Sequence, residues 1–401
     1  MSLHPFSVPL EFVFFGLTLL GVAIFHHRAL TVAFTGLAAT VAYKLVFTGF
    51  EEEMGLPGLV LHFGHEWVTL ANLMLLLVGF AILAHHFEES DLPHAIPRLL
   101  PDGRLGGLAL LALVFSLSIF LDNIAGAVIG GVVARHVYGG KVGIGFLTSI
   151  VAAANAGGAG SVIGDTTTTM MWLAGISPLT LLWAFIPSVA AFLVFGVVGA
   201  LDQHHHALIT RHASTKLEID WGHVVVVFAV LISILGTNIG ISLFAPGLEK
   251  VVPTLGLAIW LTILLALVIR QPDWSVAPAA AKGALFLCAL VALASLMPVD
   301  KLPVPSWVSV FALGLLSSVF DNIPLTALAL EQGGYDWPLL AYAVGFGGSM
   351  IWFGSSAGVA LVGSFPEGRS VTAWLQHGWH IGVAYVVGFF VMLALRGWTP
   401  A

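Results

Sequence analysis

The sequence predicts an all-α polytopic membrane protein made of two inverted repeats of five crossings, each with a re-entrant helical hairpin and a broken transmembrane helix. Three observations carry this expectation. Of 401 residues, 58% are hydrophobic and 9% charged, against about 25% charged in a soluble domain. A surface so poor in charge must face lipid. The apolar residues also fall in runs of roughly 20, the length that spans a bilayer as a helix. Finally, "SIFLDNI" and "AGGAGSVIGDT" return in the same order in the second half as "SSVFDNI" and "FGGSMIWFGSS".

The first element is a membrane helix over 8–26. This stretch is long and has Glu11 near its start, unlike a short cleavable signal. Further spans follow at 29–48 and 67–84. Residues 106–136 are too long for one upright span and too short for two, and Asp122 and Asn123 interrupt them near the middle. A hairpin that dips in and returns on the same side fits that length. Residues 142–175 are Gly-rich and polar at the centre, as a crossing helix broken midway would be. Irregular backbone at membrane depth is tolerated only inside protein or beside a water-filled cavity. A span at 178–200 completes the first repeat, 1–203.

The stretch "LDQHHHALITRHASTKLEID" supplies a cytoplasmic linker, 204–221. His204, His205 and His206 read as solvated linker, and His85–His86 and the acidic Glu51–Glu53 read the same way. The second repeat, 222–401, runs through spans at 222–243, 254–270 and 280–297. A hairpin at 305–333 carries Asp321 and Asn322 and precedes a broken helix at 338–362 and a last span at 372–396. Because the hairpins do not cross, each repeat crosses five times. An odd count turns the halves upside down relative to each other, the arrangement of many secondary transporters.

Charge sets the orientation. One side carries Arg28, Arg98, Arg104, Arg135, Lys141, Arg211, Lys216, Arg270, Lys282 and Arg369. The other carries only Lys44, Lys250, Lys301 and Arg396. The positive-inside rule makes the first side cytoplasmic and puts both termini outside. The net charge of −7 implies no nucleic-acid partner. The single cysteine, Cys288, excludes an internal disulfide framework and a cysteine metal cluster. Glu11, Lys44 and Glu66 lie near span ends, where long side chains reach toward water. Most of the 12 tryptophans read as interfacial anchors.

The chemistry gathers at the breaks. Ionisable residues inside a membrane protein are costly and mark ion or substrate pathways. Asp122 and Asp321 sit at the predicted hairpin tips, and Asp165 sits at the break of the first crossing helix. Around them lie Asn123, Asn322, Asn155, Thr166, Thr167, Ser355 and Ser356. Gly157, Gly158 and Gly164 align with Gly347, Gly348 and Gly354, where tight turns and close backbone approach are needed. Carboxylates, amide oxygens, hydroxyls and carbonyls are hard donors for hard cations. No lysine or arginine falls at the motif centres. Three acids without a base point to exchange of Na⁺ or Li⁺ against H⁺ at shared oxygens, with no cofactor. The repeat puts Ser355 where the first half has Asp165, which singles out Asp165 as proton carrier. Capping of the return helices is the competing explanation for Asp122 and Asp321, since Asp is a favoured N-cap.

At these motifs the sequence resembles the NhaD-type sodium/proton antiporters, in the ion-transporter superfamily that also holds arsenite permeases and dicarboxylate carriers. The resemblance is clearest in "AANAGGAGSVIGDTTTTMMW", Ala153 to Trp172, and extends to "DNIPL" and "GSSAGVA" in the second half. It implies an inverted-repeat fold, a homodimer, and an elevator-type movement of a transport region against a scaffold. It also implies that Asn155, Asp165, the threonines after it and both Asp-Asn pairs contribute to the cation site. Two places depart from the family pattern. Ala125, Gly126 and Ala127 stand where hydroxyl residues usually follow the first Asp-Asn, and Val162 and Ile163 replace a proline before Gly-Asp. The expected setting is a bacterial inner membrane. Alternatives are a same-fold carrier of arsenite or a sodium-coupled di- or tricarboxylate, a channel, and, remotely, an intramembrane aspartyl protease. Against the protease, Val162 stands where its Gly-x-Gly-Asp motif needs the first glycine.

Overall fold

The computed structural model describes residues 8–25, 28–50, 53–91, 100–209, 219–245 and 247–401. Among these there is no strand. In lipid a helix satisfies its own backbone groups, so long apolar runs have little alternative. Among the described residues, six helices are long and apolar enough to cross a membrane: Ala29–Thr48, Gly55–Glu89, Pro178–His206, Trp221–Ile241, Trp274–Ser295 and Trp379–Arg396.

Helices α1 (Leu10–Ile24) and α2 (Ala29–Tyr43) pack on each other. A π-helical turn, Lys44–Thr48, ends at Gly49, whose φ of +77° favours glycine. Helix α3 is a single rod, Gly55–Glu89, of 35 residues, or about 52 Å at 1.5 Å per residue. It begins well before the expected span at 67–84. Pro57 falls in its first turn, where a missing N–H removes no helix bond. His62, which breaks the apolar run, is bonded to Ser295 Oγ at 2.9 Å.

Helices α4 (Arg104–Leu117) and α5 (Asn123–Val137) pack against each other across a break at 118–122. Helices α6 (Ile144–Gly158) and α7 (Thr166–Leu173) flank a second break at 159–165. A turn from Pro178 leads into α8, Phe185–His206. The three consecutive histidines are thus the last turn of a helix, not linker. Residues 210–218 of the expected linker, with Arg211 and Lys216, lie outside the described residues, as do Glu51, Glu52 and Arg98.

The second half comprises α9 (Trp221–Phe244), α10 (Thr254–Ala266), α11 (Ala277–Ser295), α12 (Trp307–Ser317) and α13 (Asn322–Gln332). Then come α14 (Trp337–Gly347), α15 (Ser356–Ser364), α16 (Val371–His377) and α17 (Trp379–Arg396). Two helices are shorter than their apolar runs. Helix α1 stops at Ile24, and α10 gives way to turns at 267–269. The last span is divided at Gly378, which separates α16 from α17.

Packing sorts the helices into two groups. In the first, α1 packs on α2, α2 on α11, and α3 on α9, α10 and α11. In the second, α8 packs on α4, α6 and α17, α5 on α6 and α15, and α14 on α12, α6 and α17. Helix α13 bridges them, touching α11 on one side and α7 and α14 on the other. Helices α6 and α14 form the axis of the second group. Every residue of α14, and all of α6 beyond Ile144, is buried, so neither has a lipid face.

Glu11 and Lys44 do not reach toward water: they are 4% and 9% exposed. The Lys44 ammonium donates to Leu296 O at 2.9 Å and sits over the Phe50 ring. Leu296 caps the C-terminus of α11, where free carbonyls and the helix dipole attract a cation.

Candidate cation site at the helix breaks

The glycines at the breaks are fixed by backbone approach, since none has a positive φ. A Cβ on Gly157 would lie 2.1 Å from Phe115 O, and one on Gly347 2.1 Å from Gly314 O. A Cβ on Gly164 would fall 1.9 Å from Ser118 O, and one on Gly354 2.6 Å from Ser318 O. Gly158 and Gly348 likewise meet the carbonyls of Gly164 and Gly354, at 2.4 and 2.6 Å. Each broken helix therefore presses its main chain onto the end of the helix that precedes an Asp-Asn pair. Asn123 N seals the first junction by donating to Gly164 O at 3.0 Å.

This approach delivers side chains from four elements to one place. Asp165 caps α7 and is 2% exposed. Its Oδ2 accepts from Thr167 Oγ1 at 2.6 Å. Asn123 Nδ2, from the start of α5, reaches Asn155 Oδ1 at 3.0 Å and Asp165 Oδ1 at 3.4 Å. Asn155 Nδ2, on α6, donates to Ser349 Oγ at 2.9 Å and Ser355 Oγ at 3.1 Å. The resulting chain runs Thr167–Asp165–Asn123–Asn155–Ser355 and joins both halves of the molecule.

The second hairpin contributes a smaller cluster. Asp321 Oδ1 accepts from Ile323 N at 3.0 Å, and its Oδ2 lies 3.4 Å from Ser356 Oγ. Asn322 is buried, and its carbonyl accepts from Thr326 Oγ1. The structure separates the two tip aspartates. Asp321 caps its helix, whereas Asp122 makes no capping bond and its buried Oδ1 has no hydrogen-bond partner. Among the described residues, no lysine or arginine pairs with any of the three acids. Carboxylate, amide and hydroxyl oxygens without a base have the chemistry to hold a small hard cation or a proton. Burial penalises the charged carboxylate, and a bound cation offsets that penalty.

Of the threonines after Asp165, only Thr167 turns its hydroxyl to the carboxylate. Thr168 and Thr169 donate to the carbonyls of Ser161 and Val162 and hold the break in shape. Thr166 is half-buried and outside the hydrogen-bonded chain. Four contributors carried weaker sequence signals. Ser349 follows directly on Gly347–Gly348. Trp374, one of the tryptophans expected at an interface, is fully buried and donates to Ser349 O at 3.2 Å. Gly345 stands ten residues before Ser355, as Asn155 stands ten before Asp165. A Cβ there would lie 2.9 Å from Asp165 Oδ2. Ser118 was visible within "SIFLDNI". Its buried Oγ has no hydrogen-bond partner and lies 2.0 Å from where a Cβ on Gly126 would be. The hydroxyl missing from 125–127 is thus matched by one from the facing helix.

No family model matches the chain. The Na⁺/H⁺ antiporter NhaD of Vibrio cholerae is 27% identical over 330 residues, covering 71% of this chain and 69% of its own length. The NhaD antiporter of Alkalimonas amylolytica is 25% identical over 394 residues, 84% of this chain and 79% of its own length. The chain is similar over most of its length to NhaD-type antiporters. Sodium/proton antiporter 1 of Arabidopsis thaliana is 29% identical over 286 residues, and the match covers 59% of this chain but about half, 47%, of the plant protein. With six helices of spanning length among the described residues, the chain is an integral, multi-pass membrane protein. Ser118 faces Gly126, inside the Ala125–Ala127 stretch where the sequence departs from the pattern it resembles.

Proposed function

We propose that the protein is a secondary transporter that exchanges Na⁺ or Li⁺ for H⁺ at the helix breaks. The observation that carries this reading is the chain of oxygen ligands around Asp165, which no lysine or arginine among the described residues neutralises. Asp165 holds either a cation, together with Thr167 Oγ1 and neighbouring oxygens, or a proton. Asp122, with an unpartnered oxygen, and Asp321, with Ser356, complete the acidic lining. Asn123, Asn155, Asn322, Ser355 and Thr166 supply further dipoles, and the six glycines let the breaks converge. The relatives' names point the same way.

On this reading the two halves, 1–203 and 222–401, are inverted repeats. Their hairpins, 106–136 and 305–333, are re-entrant, and 142–175 and 338–362 are the broken crossing helices. The recurring order of breaks supports it. The group α1–α3 with α9–α11 acts as the scaffold of a homodimer, and the other group carries the site past it. Both termini face outward in a bacterial inner membrane.

The test is reconstitution into vesicles with an imposed pH gradient and a lumenal pH dye. Addition of Na⁺ or Li⁺ should collapse the gradient, while K⁺ or citrate should not. Asp165→Asn, folded by circular dichroism, should be inactive. Collapse by citrate alone would replace this reading with carboxylate transport, and full activity of Asp165→Asn would move the proton elsewhere.

A further inference from the structure

A second constellation shares no residue with the helix breaks. His86 lies in the last turn of α3 and His223 in the first turn of α9, at 2% and 9% exposure. Their Nδ1 atoms face each other at 2.8 Å. Glu89, one turn along from His86, places Oε2 3.6 Å from His223 Nδ1. Ligand atoms of all three residues lie within 4.8 Å of one another. We propose that His86, His223 and Glu89 bind a divalent transition-metal ion such as Zn²⁺, which ties the end of α3 to the start of α9.

The donor set fits that ion class. Two imidazoles and a carboxylate, with water in the fourth position, form a common tetrahedral zinc environment. Zn–N bonds of about 2.0–2.1 Å put neighbouring ligand atoms roughly 3.3 Å apart. The His223–Glu89 spacing is close to this already, and the two rings need to part by only about half an ångström. Imidazole is a poor ligand for Na⁺, so the site is not a second copy of the transport pocket.

The surroundings hold the ligands in place. Asp220 N donates to Ser90 O at 3.0 Å, which joins the two helix ends through the backbone. Asp220 caps α9 through Gly222 N and is paired with Arg270. The other oxygen of Glu89 lies 3.4 Å from His85 Nε2, and His85 also approaches Glu88 and Asp273. Ligating carboxylates are themselves commonly held by an outer hydrogen bond, and His85 is placed to supply one to Glu89.

The test uses untagged, full-length protein in micelles, stripped with a chelator and titrated with Zn²⁺ and separately with Co²⁺. One tight equivalent should bind, with the visible absorption of tetrahedral Co²⁺, and Zn²⁺ should raise the thermal midpoint. Glu89→Gln should weaken binding tenfold or more, and His86→Asn with His223→Asn should abolish it. Substituting asparagine at His204, His205 and His206 should leave the tight equivalent intact. Absence of a tight equivalent in the wild type, its loss in that triple variant, or unaltered affinity in Glu89→Gln would overturn the assignment. The wild-type and Glu89→Gln titrations decide even if the double variant fails to fold.

Discussion

Gly345→Ala isolates the role of space beside Asp165. The new Cβ would stand 2.9 Å from Asp165 Oδ2, 3.8 Å from Ala159 Cβ and 4.0 Å from Thr167 Oγ1. Ordinary contact starts near 3.4 Å, so the carboxylate oxygen must retreat by roughly half an ångström. That retreat stretches the 2.6 Å bond from Thr167. A hydrogen bond to a charged group contributes about 1.5–3 kcal/mol. Losing about 1–2 kcal/mol of it corresponds to a factor of 5–30. The half-saturating Na⁺ concentration in proteoliposomes should rise by that factor. Gly to Ala within a helix is worth roughly 0.5–1 kcal/mol in favour of alanine, which offsets part of that loss, so the fold should lose no more than about 1.5 kcal/mol. Weakened exchange in a protein that still unfolds cooperatively, with at most a modest drop in thermal midpoint, is therefore the expected signature. A folded variant with wild-type Na⁺ dependence would refute the placement of the cation against Asp165 Oδ2.

Ser118→Ala should weaken apparent Na⁺ affinity while barely changing the melting temperature, because its hydroxyl has no protein partner to lose; a wild-type Na⁺ response would remove Ser118 from the site. Asp336 is fully buried, pairs with the partly exposed Arg396 at 3.1 Å, and accepts from Thr399 N and Oγ1. Asp336→Ala should cost about 2–4 kcal/mol by stranding that charge and those donors, read by thermal unfolding in detergent. The Arg270 guanidinium, and then the Gly222 N–H, hold the Asp220 carboxyl below its usual range. A folded pKa below the unfolded one means the stabilisation is fully present above about pH 4 and is lost as pH falls through the folded value. The melting-temperature gap between wild type and Asp220→Asn should accordingly be flat from neutral pH down to about pH 5 and close in stronger acid.

The breaks were legible because glycine, aspartate and asparagine interrupt runs that are otherwise apolar. Asp122–Asn123, Asp165 and Asp321–Asn322 all fall at helix starts. Other features were hidden for physical reasons. Helix α3 starts early because His62 finds Ser295 across the packing interface, so a polar residue costs the helix nothing there. Lys44 reads as a snorkelling end residue until the carbonyl of Leu296 is beside it. Gly345 and Ser349 matter through what they face, and no local pattern encodes that. His86 and His223 are 137 positions apart in the chain, so their pairing is a product of packing alone.

The contacts made by Gly157, Gly164, Gly347 and Gly354 have a further consequence. Where polypeptide meets polypeptide with no intervening side group, the width of the pocket is dictated by peptide spacing. Exchanging one ligand side chain can strengthen or weaken the hold on an ion, but it leaves that aperture unchanged. Preference by ionic radius should therefore resist point substitution far more stubbornly than binding strength does.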